Sequence, residues 1–141
     1  MPATRLAPNF ERWEFACKCK CGFDTADKLL VEYLQALSDH FDNRAITIIN
    51  GCRCPAYNAK VGGGLNSQHL YARAADIVIA DIHPHLVQEI LDDWGVPGMG
   101  YYDDFTHLDT RTGRARWDKR ARVVGSDVPE SLQLVDTTPA H

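Results

Sequence analysis

No segment of this chain approaches the roughly 18 consecutive apolar residues of a membrane span. The opening residues, Met-Pro-Ala-Thr-Arg-Leu-Ala-Pro-Asn, lack the apolar stretch of a secretory leader. The chain is therefore expected to be cytoplasmic as synthesised, reaching any substrate outside the cell by a separate route. Internal repeats are missing, which excludes solenoids and propellers. A basic excess is missing too: 15 Lys and Arg against 19 Asp and Glu leave a net charge of −4, so nucleic acid is not an expected partner. The one basic run, residues 111–122 with six Lys and Arg, reads as a solvated face or strand end, or as a contact for an anionic polymer. Cysteine is odd in number. The five fall into two groups, Cys17, Cys19, Cys21 and Cys52, Cys54, so they cannot all pair with one another. No Cys-x₂-Cys of a common zinc knuckle occurs. Three states stay open for them: reduced, partly buried thiols; a disulfide from the N-terminal group to Cys52 or Cys54; or a second, thiolate metal site.

What is present suits one globular domain. The 141 residues are 45% hydrophobic and 24% charged, enough for a real core. Residues 1–122 read as that domain, and 123–141, polar and aperiodic, as a flexible tail. Phe10, Trp13 and Phe15 form an aromatic entry segment expected to pack on the core. Apolar residues at Ala26, Leu29, Leu30, Tyr33, Leu34, Leu37 and Phe41 recur at helical spacing and predict an amphipathic helix over 26–41, with Thr25 as N-cap. The run Ala45-Ile-Thr-Ile-Ile49 predicts a buried strand. Pro55 and the glycines at 62–64 predict a loop over 51–66 with one helical turn at most. A second strand covers 74–79, a helix opens at Pro84 and runs to about Trp94, and 99–102 with 105–110 form a hairpin or two short strands. This order predicts an α+β fold, with helices packed on a small antiparallel sheet.

The chemistry gathers in Ser67-Gln-His69-Leu-Tyr-Ala72-Arg-Ala74-Ala-Asp76 and in His107-Leu-Asp109, which begins 31 residues beyond Asp76. Six residues separate His69 in its loop from Asp76 in its strand, giving both side chains reach to one ion. His107 must arrive from a neighbouring strand, with Asp109 on the same face and available to the second ring nitrogen of a metal-bound histidine. Two imidazoles and one carboxylate are a zinc set that leaves a position for water, which is the stoichiometry of a hydrolase. By spacing alone, three unrelated polar side chains are as good a reading.

The ordered pattern resembles the zinc D-Ala-D-Ala carboxypeptidase family, which includes phage L-alanyl-D-glutamate endopeptidases and shares its fold with the Hedgehog signalling domain. The family's Ser-x-His-x-x-Gly-x-Ala-x-Asp and later His match Ser67, His69, Ala74, Asp76 and His107. Upstream, Ile49-Asn50-Gly51-Cys52-Arg53-Cys54-Pro55 and Asn58-x-x-Val61-Gly62-Gly63 resemble the segment Ser-Gly-Tyr-Arg and the Asn-x-x-Val-Gly-Gly after it. The likeness runs from about Phe10 to about Arg111. Three positions depart from it: Asn50 stands for Ser, Cys52 for Tyr, and Ala72 for a Gly that suits positive φ.

The resemblance implies a Hedgehog/DD-peptidase-like fold and a zinc peptidase acting on peptidoglycan stem peptides, in the manner of a compact phage- or prophage-type enzyme. It implies His69, Asp76 and His107 as zinc ligands and Arg53 as the group contacting a substrate carbonyl or carboxylate. Ser67 is then a hydrogen-bond partner of substrate or of a ligand's neighbour. The general base is implied at Asp104, three residues before His107. Strand alternation from His107 would favour Asp103 instead, unless a turn breaks it, and Asp109 is a third possibility. A non-catalytic zinc-binding module of a virion or surface complex is the competing function.

Overall fold

The computed structural model describes residues 4–121; the expected tail, 123–141, lies outside them. In chain order the elements are β1 (Arg5–Ala7), β2 (Phe10–Glu11), a 3₁₀ turn at Arg12–Phe15, α1 (Lys28–His40), β3 (Ile46–Asn50), α2 (Pro55–Lys60), a second 3₁₀ turn at Gln68–Tyr71, β4 (Ala74–Ile79), α3 (Pro84–Asp93), β5 (Gly98–Tyr101), β6 (Thr106–Asp109) and β7 (Ala115–Asp118). The stripe of α1 buries Leu30, Val31, Leu34 and Leu37. Together with Val87 and Leu91 of α3 it packs on Ile46, Ile48, Ala75, Ile77, Ile79, Met99 and Leu108 of the sheet. Every second residue of the central strands thus faces the helices, and the residues between them form the opposite face.

The five-stranded sheet has the order β3-β4-β6-β5-β7. Neighbours run antiparallel except β7, which lies parallel to β5. The expected antiparallel sheet is therefore a mixed one. The 110–114 connection carries the chain across the end of β5, aided by Gly113 at φ +89°. β7 begins where sequence periodicity fades, because a four-residue edge strand offers only two inward positions, Ala115 and Trp117.

Other elements shift from their expected limits for local reasons. Asp27, not Thr25, caps α1: its carboxylate accepts the Leu30 amide at 3.4 Å. Its own amide is drawn to Ala72 O at 2.8 Å, which keeps the preceding residues out of the helix. Pro55 at the first turn of α2 extends the expected single turn to six residues. Phe10 and Phe15 are in the core as expected, whereas Trp13 is 72% exposed because its 3₁₀ turn points it outward. Phe15 presses so closely on β3's exit that a Cβ at Gly51 would overlap its backbone. Cys52 N donates to Phe15 O at 2.9 Å in the same contact. No helix among the described residues is long and apolar enough to cross a membrane.

Candidate metal centre

On the sheet face away from the helices, β4 and β6 pair with Asp76 directly opposite His107 and with Ala74 opposite Asp109. His69 comes from the second 3₁₀ turn. Ser67 caps that turn, its hydroxyl accepting the His69 amide at 3.3 Å. Ala72 closes the turn at φ +56°, the left-handed conformation expected of a glycine there, and the chain then enters β4. The result brings one ligand atom each from His69, Asp76 and His107 within 4.8 Å of one another, with all three residues 0% exposed.

The rings are oriented from behind. His69 Nδ1 donates to Gly51 O at 2.6 Å, which leaves Nε2 turned to Asp76 Oδ2 at 3.5 Å. His107 Nε2 donates to Asp109 Oδ2 at 2.7 Å, which leaves Nδ1 on Asp76 Oδ1 at 2.9 Å. Asp109 is itself gripped by Arg111, Nε to Oδ1 and Nη2 to Oδ2, both at 2.8 Å. Each imidazole therefore has its outer nitrogen anchored and its inner lone pair aimed at the carboxylate. A lone pair facing a carboxylate oxygen at 2.9 Å requires a proton or a metal cation between them. This donor set fits zinc: two imidazole nitrogens, one carboxylate oxygen, and partners behind both rings.

The electrostatics agree. Burial pushes His69 down, against the pull of Asp76, a direction that favours the neutral ring a metal ligand requires. Burial also opposes charge on His107, but hydrogen bonds to Asp109 and Asp76 outweigh it and raise that group. Burial would lift Asp76, yet its interactions with both imidazoles hold it well below the usual carboxylate range. Arg111 and His107 likewise overcome burial to hold Asp109 far below it. The pocket favours positive charge at its centre.

Two glycines make room for this arrangement. A Cβ at Gly98, opposite Asp109 across β5–β6, would overlap the Asp109 carboxylate, and one at Gly100 would sit 2.7 Å from Trp117 Nε1. Trp117 lies beside His107 with ring centroids 4.8 Å apart and the planes tilted by 47°, and its indole N–H donates to Tyr102 Oη at 2.8 Å. Gly98→Ala is expected to displace Asp109 from His107 and weaken zinc binding about 10–100-fold, the usual cost of losing a ligand's outer partner. Competition against a chromogenic chelator measures it; an unchanged affinity would show that Asp109 does not act on the metal.

Arg53 joins the cluster at its rim. It is 5% exposed, with Nη2 3.9 Å from Asp76 Oδ2 and Nη1 donating to Asn58 Oδ1 at 3.4 Å. A Cβ at Gly63 would strike Asn58 and crowd the guanidinium. Burial lowers the Arg53 pKa, and Asp76 opposes the shift.

The acids between β5 and β6 are less closely gathered. Residues 102–105 form a turn, so strand alternation is broken, and Asp103 is drawn toward α3. It accepts from His85 Nε2 at 2.9 Å and from the Ala121 amide at 2.8 Å. Asp104 is exposed in the same turn and, among the described residues, makes no hydrogen bond or ion pair. Buried Gln88 of α3 ties the turn down, donating to Tyr102 O at 2.8 Å and to Thr106 Oγ1 at 3.2 Å.

Sequence reasoning did not give Asn50, Arg111, Gln88 or Trp117 these parts. Asn50 donates to Asp76 Oδ2 at 3.1 Å because a bulge between Ile48 and Asn50 re-aims it from the helix side. Alternation from Asp109 to Arg111 was the one available signal, masked by the apparent charge run.

With this geometry in place, two comparisons bear on identity. A zinc D-Ala-D-Ala carboxypeptidase from Streptomyces albus G is 32% identical over 90 residues, 57% of this chain and 34% of that protein. This chain thus matches about a third of that relative's length. The sequence model of the Peptidase M15 family matches residues 8–109, from the first core aromatic to the carboxylate behind His107. The chain belongs to the Peptidase M15 family.

Proposed function

We propose that this chain is a zinc metallopeptidase that hydrolyses peptide bonds in peptidoglycan stem peptides. The observation that carries the reading is the convergence of His69, Asp76 and His107, with the outer nitrogen of each imidazole already anchored. The similarity to a zinc D-Ala-D-Ala carboxypeptidase supports the metal and a D-Ala-containing substrate. His69, Asp76 and His107 would hold the zinc, which would supply Lewis-acid polarisation of the scissile carbonyl and acidification of a water.

The chain's own residues supply the rest. Arg53 presents its planar fork beside the cluster to the substrate carbonyl or terminal carboxylate. Asp104 takes a proton from the attacking water and passes it to the leaving amine. It is the available base because Asp103 is bound to His85 and Ala121, and Asp109 to Arg111 and His107. A carboxylate held far down the pH scale, as Asp109 is, is a poor proton acceptor. Ser67 caps the turn that carries His69, and its hydroxyl is the expected hydrogen-bond partner of substrate.

Incubation of the zinc-loaded protein with purified muropeptides, followed by mass spectrometry, tests the reading. Loss of a terminal D-alanine identifies a carboxypeptidase, and internal cleavage an endopeptidase. Intact muropeptides alongside measurable binding would establish the non-catalytic module instead.

Arg53→Lys is expected to lower kcat about 10²-fold, close to 3 kcal/mol, if the fork stabilises charge developing on the carbonyl oxygen. Lysine keeps the charge but loses the paired donors. If Arg53 holds a terminal carboxylate, KM rises and kcat changes less. Unchanged kinetics in a zinc-replete variant would remove Arg53 from the mechanism.

A further inference from the structure

Four of the five cysteines, the N-terminal three and the distant Cys54, meet at one point outside the centre described above. The sulfurs of Cys17, Cys19, Cys21 and Cys54 all lie within 4.8 Å of one another. Cys17 Sγ to Cys19 Sγ and Cys19 Sγ to Cys54 Sγ are each 3.5 Å. Zinc–sulfur bonds of about 2.3 Å in a tetrahedron set sulfurs about 3.8 Å apart, so these spacings suit four thiolates around one ion. We propose that Cys17, Cys19, Cys21 and Cys54 form a second zinc site, closed and structural, that pins the N-terminal loop to the start of α2.

Burial does not explain the convergence. Cys19 and Cys21 are exposed and Cys54 is half-buried, so three of the four thiols gain little by hiding from water. Buried Cys52 stays out of the group; its thiol turns to Phe15 O and Phe23 O at 3.2 and 3.1 Å. The backbone is shaped around the sulfurs instead. The loop is closed by Cys17 N donating to Phe23 O at 2.8 Å, and Lys20 takes a left-handed φ of +64° between Cys19 and Cys21. That conformation is costly for a non-glycine residue, and a metal chelated by its neighbours offsets the cost. Amide donors face the sulfurs as they do in thiolate sites: Cys54 N to Cys17 Sγ and Tyr57 N to Cys54 Sγ, both at 3.4 Å. Lys18 and Lys20, interleaved with the cysteines, lie beside the surplus negative charge of a tetrathiolate complex. Four thiolates leave no position for water, so the site is structural and not a second reaction centre.

Its place in the fold gives it a purpose. Cys54 directly follows Arg53 and caps α2, the element beginning right after it. An ion joining Cys54 to the Cys17–Cys21 loop braces the segment that carries Arg53 and the Gly51 carbonyl behind His69.

Elemental analysis of the full chain, purified under reductant, tests this apart from the peptidase reading. The parent is expected to hold about two zinc ions, and His69→Ala about one. Cobalt substituted into His69→Ala should show intense thiolate-to-cobalt charge transfer, lost in Cys19→Ser and in Cys21→Ser but kept in Cys52→Ala. Both serine substitutions fall on exposed positions, so the fold is expected to survive them. A His69→Ala protein without zinc, without charge transfer, and with all thiols freely reactive toward a disulfide reagent would overturn the site. Stoichiometric iron in place of zinc, or disulfides among the four cysteines in the reduced preparation, would overturn it equally.

Discussion

His69→Ala is expected to lower zinc content by about one ion per chain and to abolish detectable peptide hydrolysis. Losing the partner behind a ligand already costs about 10–100-fold in metal affinity; losing the ligand itself should exceed that. The remaining pair, Asp76 and His107, would contact each other at 2.9 Å with only two donors left for an ion. The fold should persist. The core that α1 and α3 build lies on the opposite sheet face and contains none of the three ligands. The substitution does leave a buried cavity and deprives Gly51 O of its donor, together worth about 2–5 kcal/mol. A cooperative thermal transition at lowered temperature is therefore expected in circular dichroism. The measured quantity is the difference from the parent, which is independent of what the cysteines bind. Equal zinc in parent and variant would remove His69 from the ligand set and with it the proposed mechanism.

The candidate metal ligands were legible because their signal is local and repeated. His69 and Asp76 sit on either side of one turn, and alternation alone put Asp76 away from Ala75 and Ile77. His107 was implied by the resemblance alone; the register of β4 with β6 that sets it opposite Asp76 could not be read from spacing. Residues reached by irregular backbone were not legible. Asn50 faces Asp76 only because a bulge interrupts β3, and no periodicity announces a bulge. Trp117 reaches His107 from a parallel edge strand that pairs with β5 across the chain's own hairpin. The cysteines show the same limit at longer range. Cys19 and Cys54 are 35 residues apart and follow no zinc-knuckle spacing, so only folding reveals that Cys54 joins the N-terminal group while Cys52 does not. Ala72 is the reverse case. Its resemblance to a family glycine predicted an unusual conformation, and the alanine adopts it at φ +56°.

Asp104→Asn is expected to retain the parental zinc content and to lose about 10²–10⁴-fold in kcat, the usual contribution of a general base. The amide is nearly isosteric with the carboxylate but cannot accept the proton at neutral pH. Because Asp104 is exposed and unbonded among the described residues, the substitution should leave thermal stability almost unchanged. That separates it from its neighbours. Asp103→Asn would disturb the His85 contact and the Ala121 amide, and so the anchoring of the turn, with a smaller effect on turnover. Asp109→Asn would break the fork with Arg111 and the hold on His107, so its loss of activity should come with weakened zinc. The three variants thus differ in which quantity moves: turnover alone for Asp104, modest stability for Asp103, metal affinity for Asp109. The pH profile adds a readout that a purely structural role would not move, since removing the base should flatten the acidic limb of kcat/KM. Parental turnover in a zinc-replete Asp104→Asn protein would assign proton transfer elsewhere. Collapse in Asp109→Asn at full zinc occupancy would assign it to the carboxylate behind His107.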